Sequence, residues 1–136
     1  MTANLEHHPP VRKVYKVVHR NLDGSLSSSG SYLFSIKYQT FKFTRPDVLN
    51  SKLFVFDRLY FAKKWLEPIK HYKSNKEIWS AWAINPTYYV MLKVAYYGYD
   101  IATYWNEPEF IHPNNLLLAP IGTILADAVQ LIERIA

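Results

Sequence analysis

The sequence predicts an α+β fold: a single compact domain in which an antiparallel or mixed sheet packs against one or two short helices. Three observations lead there. Several stretches alternate apolar and polar residues at the strand period, and one segment between two of them carries its apolar residues at helical spacing. Regular β-α alternation along the whole chain is absent, which argues against a parallel α/β architecture.

The size and composition suit one domain. The chain has 136 residues, of which 49% are hydrophobic and 20% charged, far from the charge-rich composition that keeps a chain unfolded. Residues 1–10, MTANLEHHPP, lack the apolar run of a secretory signal and read as a flexible arm, leaving 11–136 as the domain.

From Lys13 to Arg20 the run KVYKVVHR is rich in β-branched residues and predicts a strand, and NLDGSLSSSG after it reads as a loop. In SYLFSIKYQTFKF, Tyr32, Phe34, Ile36 and Tyr38 alternate with Leu33, Ser35, Lys37 and Gln39, and the pattern then changes phase to Phe41 and Phe43. A one-residue change of phase implies a bulge or tight bend, because otherwise the apolar face would turn outward. LFVF at 53–56 suits a buried strand.

Asp57 stands where an N-cap would accept the free amide hydrogens of a helix DRLYFAKKWLE. That helix would place Phe61, Ala62, Trp65 and Leu66 on one face and Lys63 and Lys64 on another, with Pro68 limiting its extent. KEIWSAWAI, from Lys76 to Ile84, alternates as a strand. TYYVMLKVAYYGY offers a further strand, and Asp100 could cap a short helix before Pro108. In the tail, Ile121, Ile124, Leu125, Ala128, Leu131, Ile132 and Ile135 fall at helical spacing, while Leu125, Val129 and Leu131 also fit one strand face. Periodicity leaves both readings open.

The combination KLFVFDRLYFAKKW, EIWSAWAINP and APIGTILADAVQLIERI resembles a group of small α+β proteins, many from viruses and phages, to which no activity is attached. The resemblance covers roughly residues 11–84 and 119–135. It implies that GTILADAVQLI closes the domain as a strand, and it carries over no functional residue.

Several chemistries are excluded or disfavoured by composition. With no cysteine there is no disulfide framework and no thiolate chemistry. His7, His8, His19, His71 and His112 show no metal-ligand spacing, and GSLSSSGS lacks the order of a phosphate-cradling loop. No cofactor is expected. The most apolar stretch, 87–105, is broken by Lys93, Gly98 and Asp100, so no membrane span is expected and the cytoplasm is the expected location, a host cell's if the source is viral.

Charge divides unevenly: residues 1–76 hold 14 Lys and Arg against 5 Asp and Glu, and residues 77–136 hold 2 against 6. The basic half contains the segment KKWLEPIKHYKSNKEIW, in which Lys63, Lys64, Lys70, Lys73 and Lys76 interleave with Trp65, Tyr72 and Trp79. Lysines meeting phosphates and aromatic faces stacking on bases would make this a nucleic-acid-binding module. Core aromatics beneath a solvated lysine surface explain the same pattern.

The leading expectation, with the nucleic-acid-binding module as the alternative, is an accessory domain that binds another protein, or a second copy of itself. Its contact surface would be Tyr88, Tyr89, Tyr96, Tyr97, Tyr99, Tyr104 and Trp105, since Tyr and Trp favour interface centres. An enzyme would need acids such as Asp57, Glu77, Asp100, Glu107, Glu109 or Asp127 in a cleft. An ADP-ribosyltransferase-like reading of the strand and helix in LFVFDRLYFAKKW finds no defining catalytic set.

Overall fold

The computed structural model describes residues 10–28, 36–47, 50–70, 75–88, 93–95, 105–107, 109, 116–118 and 120–136. Its elements are β1 (Val11–Arg20), β2 (Leu26–Ser28), β3 (Lys37–Tyr38), β4 (Phe43–Thr44), β5 (Leu53–Phe56) and α1 (Leu59–Lys70). They continue with β6 (Lys76–Ile84), β7 (Thr87–Tyr88), β8 (Lys93–Ala95), β9 (Leu116–Leu118), β10 (Thr123–Ala126) and β11 (Ala128–Arg134). Nine strands share one sheet, in which β4, β11, β6, β1, β5, β10 and β7 follow one another and β2 and β3 branch from β1. Strands β8 and β9 pair separately, and every described pairing is antiparallel. The expected α+β class is observed, with α1 the one long helix among the described residues.

The spine is the β1–β6 pair, nine residues in unbroken register from Val11 opposite Ile84 to His19 opposite Lys76. Opposed residues share a face, so Val14 faces the same way as Ala81, and Val17 the same way as Ile78. The first face carries the larger core, with Val14, Val18, Ala81 and Ala83 joined by Leu26, Tyr38, Leu53, Val55, Ile124, Ala126, Val129 and Leu131. Leu26 and Tyr38 arrive from β2 and β3, and Val129 and Leu131 from β11 on the other side of β6. The chain passes from β3 to β4, on the far side of β11, in only four residues. The sheet therefore curls around this core. The opposite face carries α1, whose Ala62 and Leu66 bury against Val17, Phe56 and Ile78.

Local chemistry explains most elements. After β1, Asp23 and Gly24 form a hairpin turn in which Gly24 takes a φ of 87° and the Asp23 carboxylate accepts the Ser25 amide hydrogen at 2.9 Å. The stretch expected to be loop is thus partly strand, because the turn returns Leu26–Ser28 onto β1. At the expected change of phase the chain turns through Phe41, with a φ of 65°. The tail forms β10 and β11 rather than a helix, and a bulge between Leu131 and Glu133 shifts the register against β6.

Two expectations about α1 are corrected. Asp57 does not cap it: the Arg58 carbonyl accepts from the Phe61 and Ala62 amides, and the Asp57 carboxylate instead pairs with Arg12. Pro68 does not end it, since α1 runs to Lys70. Proline's fixed φ is helical, so it withholds an amide hydrogen from the Lys64 carbonyl without forcing the chain away. The start of α1 is seated closely. A Cβ on Gly122, whose φ is 86°, would lie 2.3 Å from the Phe61 ring.

Candidate ligand-binding surface

Helix α1 covers only part of its face of the sheet. Four residues before Val17 on β1, and on the same side, stands Lys13; four residues after Ile78 on β6 stands Trp82, directly opposite it. Trp82 opposes Gln130 of β11 on its other side, and Gln130 opposes Phe43 of β4. Four adjacent strands therefore present the row Phe43, Gln130, Trp82, Lys13 on one surface. Trp82 is 42% exposed and Phe43 45%. With strands about 4.8 Å apart, the two aromatic positions lie roughly 10 Å from each other.

A third aromatic, Phe41, flanks the row and is 67% exposed. Its amide donates to the Leu131 carbonyl at 2.9 Å, and its own carbonyl accepts from Gln130 Nε2 at 2.8 Å. The turn is held from both ends by β11. A bulky residue at positive φ is strained, a conformation found disproportionately at functional sites. Here the strain serves no burial, because the ring points into solvent.

The electrostatics of the row are basic. Lys13 makes no ion pair among the described residues, and Lys42 and Arg45 are exposed on either side of β4. The acid on this face that lies nearest in register is Glu133, opposite Ser80 and therefore two residues along β6 from Trp82, toward α1.

The other ionisable groups have structural partners. The Glu77 carboxylate is buried and receives both Arg20 Nε and Arg20 Nη2 at 2.9 Å, with Trp79 Nε1 at 3.0 Å and Arg134 at 3.5 Å. The Arg20 hydrogen bonds, aided by Trp79 and the two guanidinium charges, outweigh burial and hold its pKa below the usual range. Burial pushes Asp127 upward, but the Lys52 and Asn85 hydrogen bonds, with the charges of Lys52 and Arg45, together take it lower. Both acids are held ionised, poorly suited to proton transfer at neutral pH.

Lys16 is the exception that sequence reading missed. It lies between Val14 and Val18 on the larger core face, is only 7% exposed, donates to the Phe54 carbonyl at 2.6 Å and stands 5.6 Å from the Tyr38 ring centre. Burial lowers its pKa to about 8 and raises that of the buried Tyr38 phenol, whose hydroxyl has no hydrogen-bond partner among the described residues. The position has a geometric cause. Strand β5 pairs with β1 only at Tyr15, and β2 takes the same edge of β1 from Val18, so Lys16 sits at the fork and supplies a donor to the diverging β5.

The residues predicted from sequence are dispersed. Lys63 and Lys64 are exposed on the outer side of α1, where with Leu59, Tyr60 and Glu67 they line an open depression of about 360 Å³. Lys70 ends α1, Lys76 begins β6 half-buried opposite His19, and Lys73 lies outside the described residues. Trp65 packs on Phe56 with ring centres 5.8 Å apart, and Trp79 packs against the larger core, so neither tryptophan joins the lysines as an open stacking face.

Of the aromatic stretch, Tyr88 belongs to β7 opposite Ile124, and Trp105 is half-buried with its ring 5.9 Å from Phe54. Tyr89, Tyr96, Tyr97, Tyr99 and Tyr104 lie outside the described residues, as does Asp100. Among the described residues no group of three His, Asp or Glu side chains could hold a metal ion, and no helix is long and apolar enough to cross a membrane.

No protein-family model, curated protein or solved structure matches the chain.

Proposed function

We propose that the protein is a binding domain for single-stranded nucleic acid, held across the open half of the sheet. The observation that carries the reading is the row Phe43, Gln130, Trp82, Lys13, which sets two exposed aromatic positions roughly 10 Å apart beside a lysine without an ion pair among the described residues. Unpaired bases stack on aromatic faces while cations follow the phosphates, and the open outer face of the sheet offers both without a deep pocket. The formal net charge of +5 favours a polyanion. Strained Phe41 supports the same reading, because it adds a third exposed ring at a cost to the fold.

The test is fluorescence anisotropy of a short labelled single strand titrated with the protein over a salt series. Affinity is expected to fall steeply as salt rises, and Trp82→Ala to weaken binding roughly tenfold, at the scale of one lost stacking contact. Absence of binding at low salt defeats the reading. Binding that survives Trp82→Ala and Phe43→Ala unchanged places the nucleic acid elsewhere, with the Lys63 and Lys64 surface of α1 the next to test.

A further inference from the structure

Resting on that reading, we infer that the ligand is an extended, unstacked strand of at least three nucleotides that crosses the β-strands along the row. Its first and third bases lie on Trp82 and Phe43. The separation of the two aromatic positions carries the inference. Phe43 opposes Gln130 and Gln130 opposes Trp82, so two strand spacings, roughly 10 Å, lie between them. Both stand on the outer face of a sheet that curls around the larger core on its other side. Side chains on the outside of a curve splay apart, so the curl does not bring the rings together.

Neighbouring stacked bases lie about 3.4 Å apart, a third of that distance. A nucleotide has six backbone bonds, twice the three of an amino-acid residue, and so spans at most about 7 Å when drawn out. One nucleotide step falls short of the gap, and two steps cover it.

The middle base then lies over Gln130, which has no ring, is half-buried and has its amide tied at 2.8 Å to the Phe41 carbonyl. The strand therefore gains stacking at alternate bases and gives up the stacking between neighbours. Lys13, opposite Trp82 on the far side of the row from Phe43, is placed for a phosphate beside the first base.

The experiment uses the whole protein and nine-unit DNA strands in which seven units are abasic and two carry thymine, so that every strand presents the same phosphates. In one strand the two thymines are adjacent; in the other a single abasic unit separates them. A strand with all nine thymines is the reference. At one low salt concentration the separated pair should bind about fivefold or more tighter than the adjacent pair, the lower end of what one further stacked base gives. Trp82→Ala and Phe43→Ala should each bring that ratio close to one, whatever happens to absolute affinity. Equal binding of the two strands, or tighter binding of the adjacent pair, overturns the alternate-base arrangement, while binding of the reference strand leaves the nucleic-acid reading standing. Failure of the reference strand to bind defeats both.

Discussion

One face of the sheet passes from a closed half to an open half along the same two strands. At the closed half, Val17 and Ile78 lie beneath Ala62 and Leu66 of α1. Four residues away on each strand, with the same side-chain direction, Lys13 and Trp82 are exposed and have no helix above them among the described residues. Strand periodicity is identical in the two halves. What differs is the reach of a twelve-residue helix that begins level with the single β1–β5 pairing at Tyr15 and Phe56. An aromatic residue in the closed half stabilises the fold by burial, whereas in the open half it remains available to a ligand.

Paired substitutions give the largest expected contrast. Leu66→Ala removes a buried side chain from the closed half and should cost about 2–4 kcal/mol in chemical denaturation, by lost burial and the cavity left behind. Trp82→Ala should change stability by less than about 1 kcal/mol, since partly exposed positions contribute little, while weakening nucleic-acid binding. Equal losses of stability would mean that Trp82 is core and that the two halves do not differ as described.

Lys16 tests the opposite face, where a polar group is hidden rather than an apolar one shown. Its native pKa of about 8 lies below its ordinary value of 10.5. Between those values the unfolded chain binds more protons than the native one, so stability contributed by Lys16 should rise with pH, by at most about 3 kcal/mol. Tyr38 acts in the other direction above pH 10, because its buried phenol holds its proton after the unfolded chain has released its own. Denaturation from pH 7 to 10 should therefore show increasing stability from this site, and Lys16→Met should remove the increase. An unchanged slope in that variant would show that the Lys16 ammonium is not desolvated.

These contrasts mark how far the sequence could be read. The strand from Lys76 to Ile84 follows from alternation, the strand at LFVF from a short apolar run and the buried face of α1 from helical spacing, each a local pattern. The change of phase at 39–43 likewise signals a bend, though not that the bend would hold Phe41 outward. The strand tail could not be chosen from spacing, because residues 121–135 satisfy both periods and only pairing with β5 and β6 decides between them. The exposed row was not legible at all. It draws Lys13, Phe43, Trp82 and Gln130 from four separate segments, and Trp82 looks like any other apolar strand residue until the end of α1 is known. Lys16 was similarly hidden: it shares a strand face with Val14 and Val18, but a lysine there gives no sign of burial in the sequence, and the fork between β5 and β2 is what encloses it.

The smallest expected effect on the fold is the one that best separates stability from function. Phe41 has a φ of 65° with its ring in solvent, so Phe41→Gly relieves a steric cost without removing buried area. Part of that relief is offset, since glycine gives the unfolded chain more freedom. The balance should be a gain of about 0.5–1 kcal/mol, read as a shift in denaturation midpoint without a change of slope. The same variant should bind single strands more weakly, because an exposed stacking ring is gone while the backbone bonds to Leu131 and Gln130 can still form. Gain of stability with loss of binding is the pattern of a residue kept against the interest of the fold. A loss of stability would instead assign Phe41 a packing role, and the open half would then retain only Phe43 and Trp82 as its stacking positions.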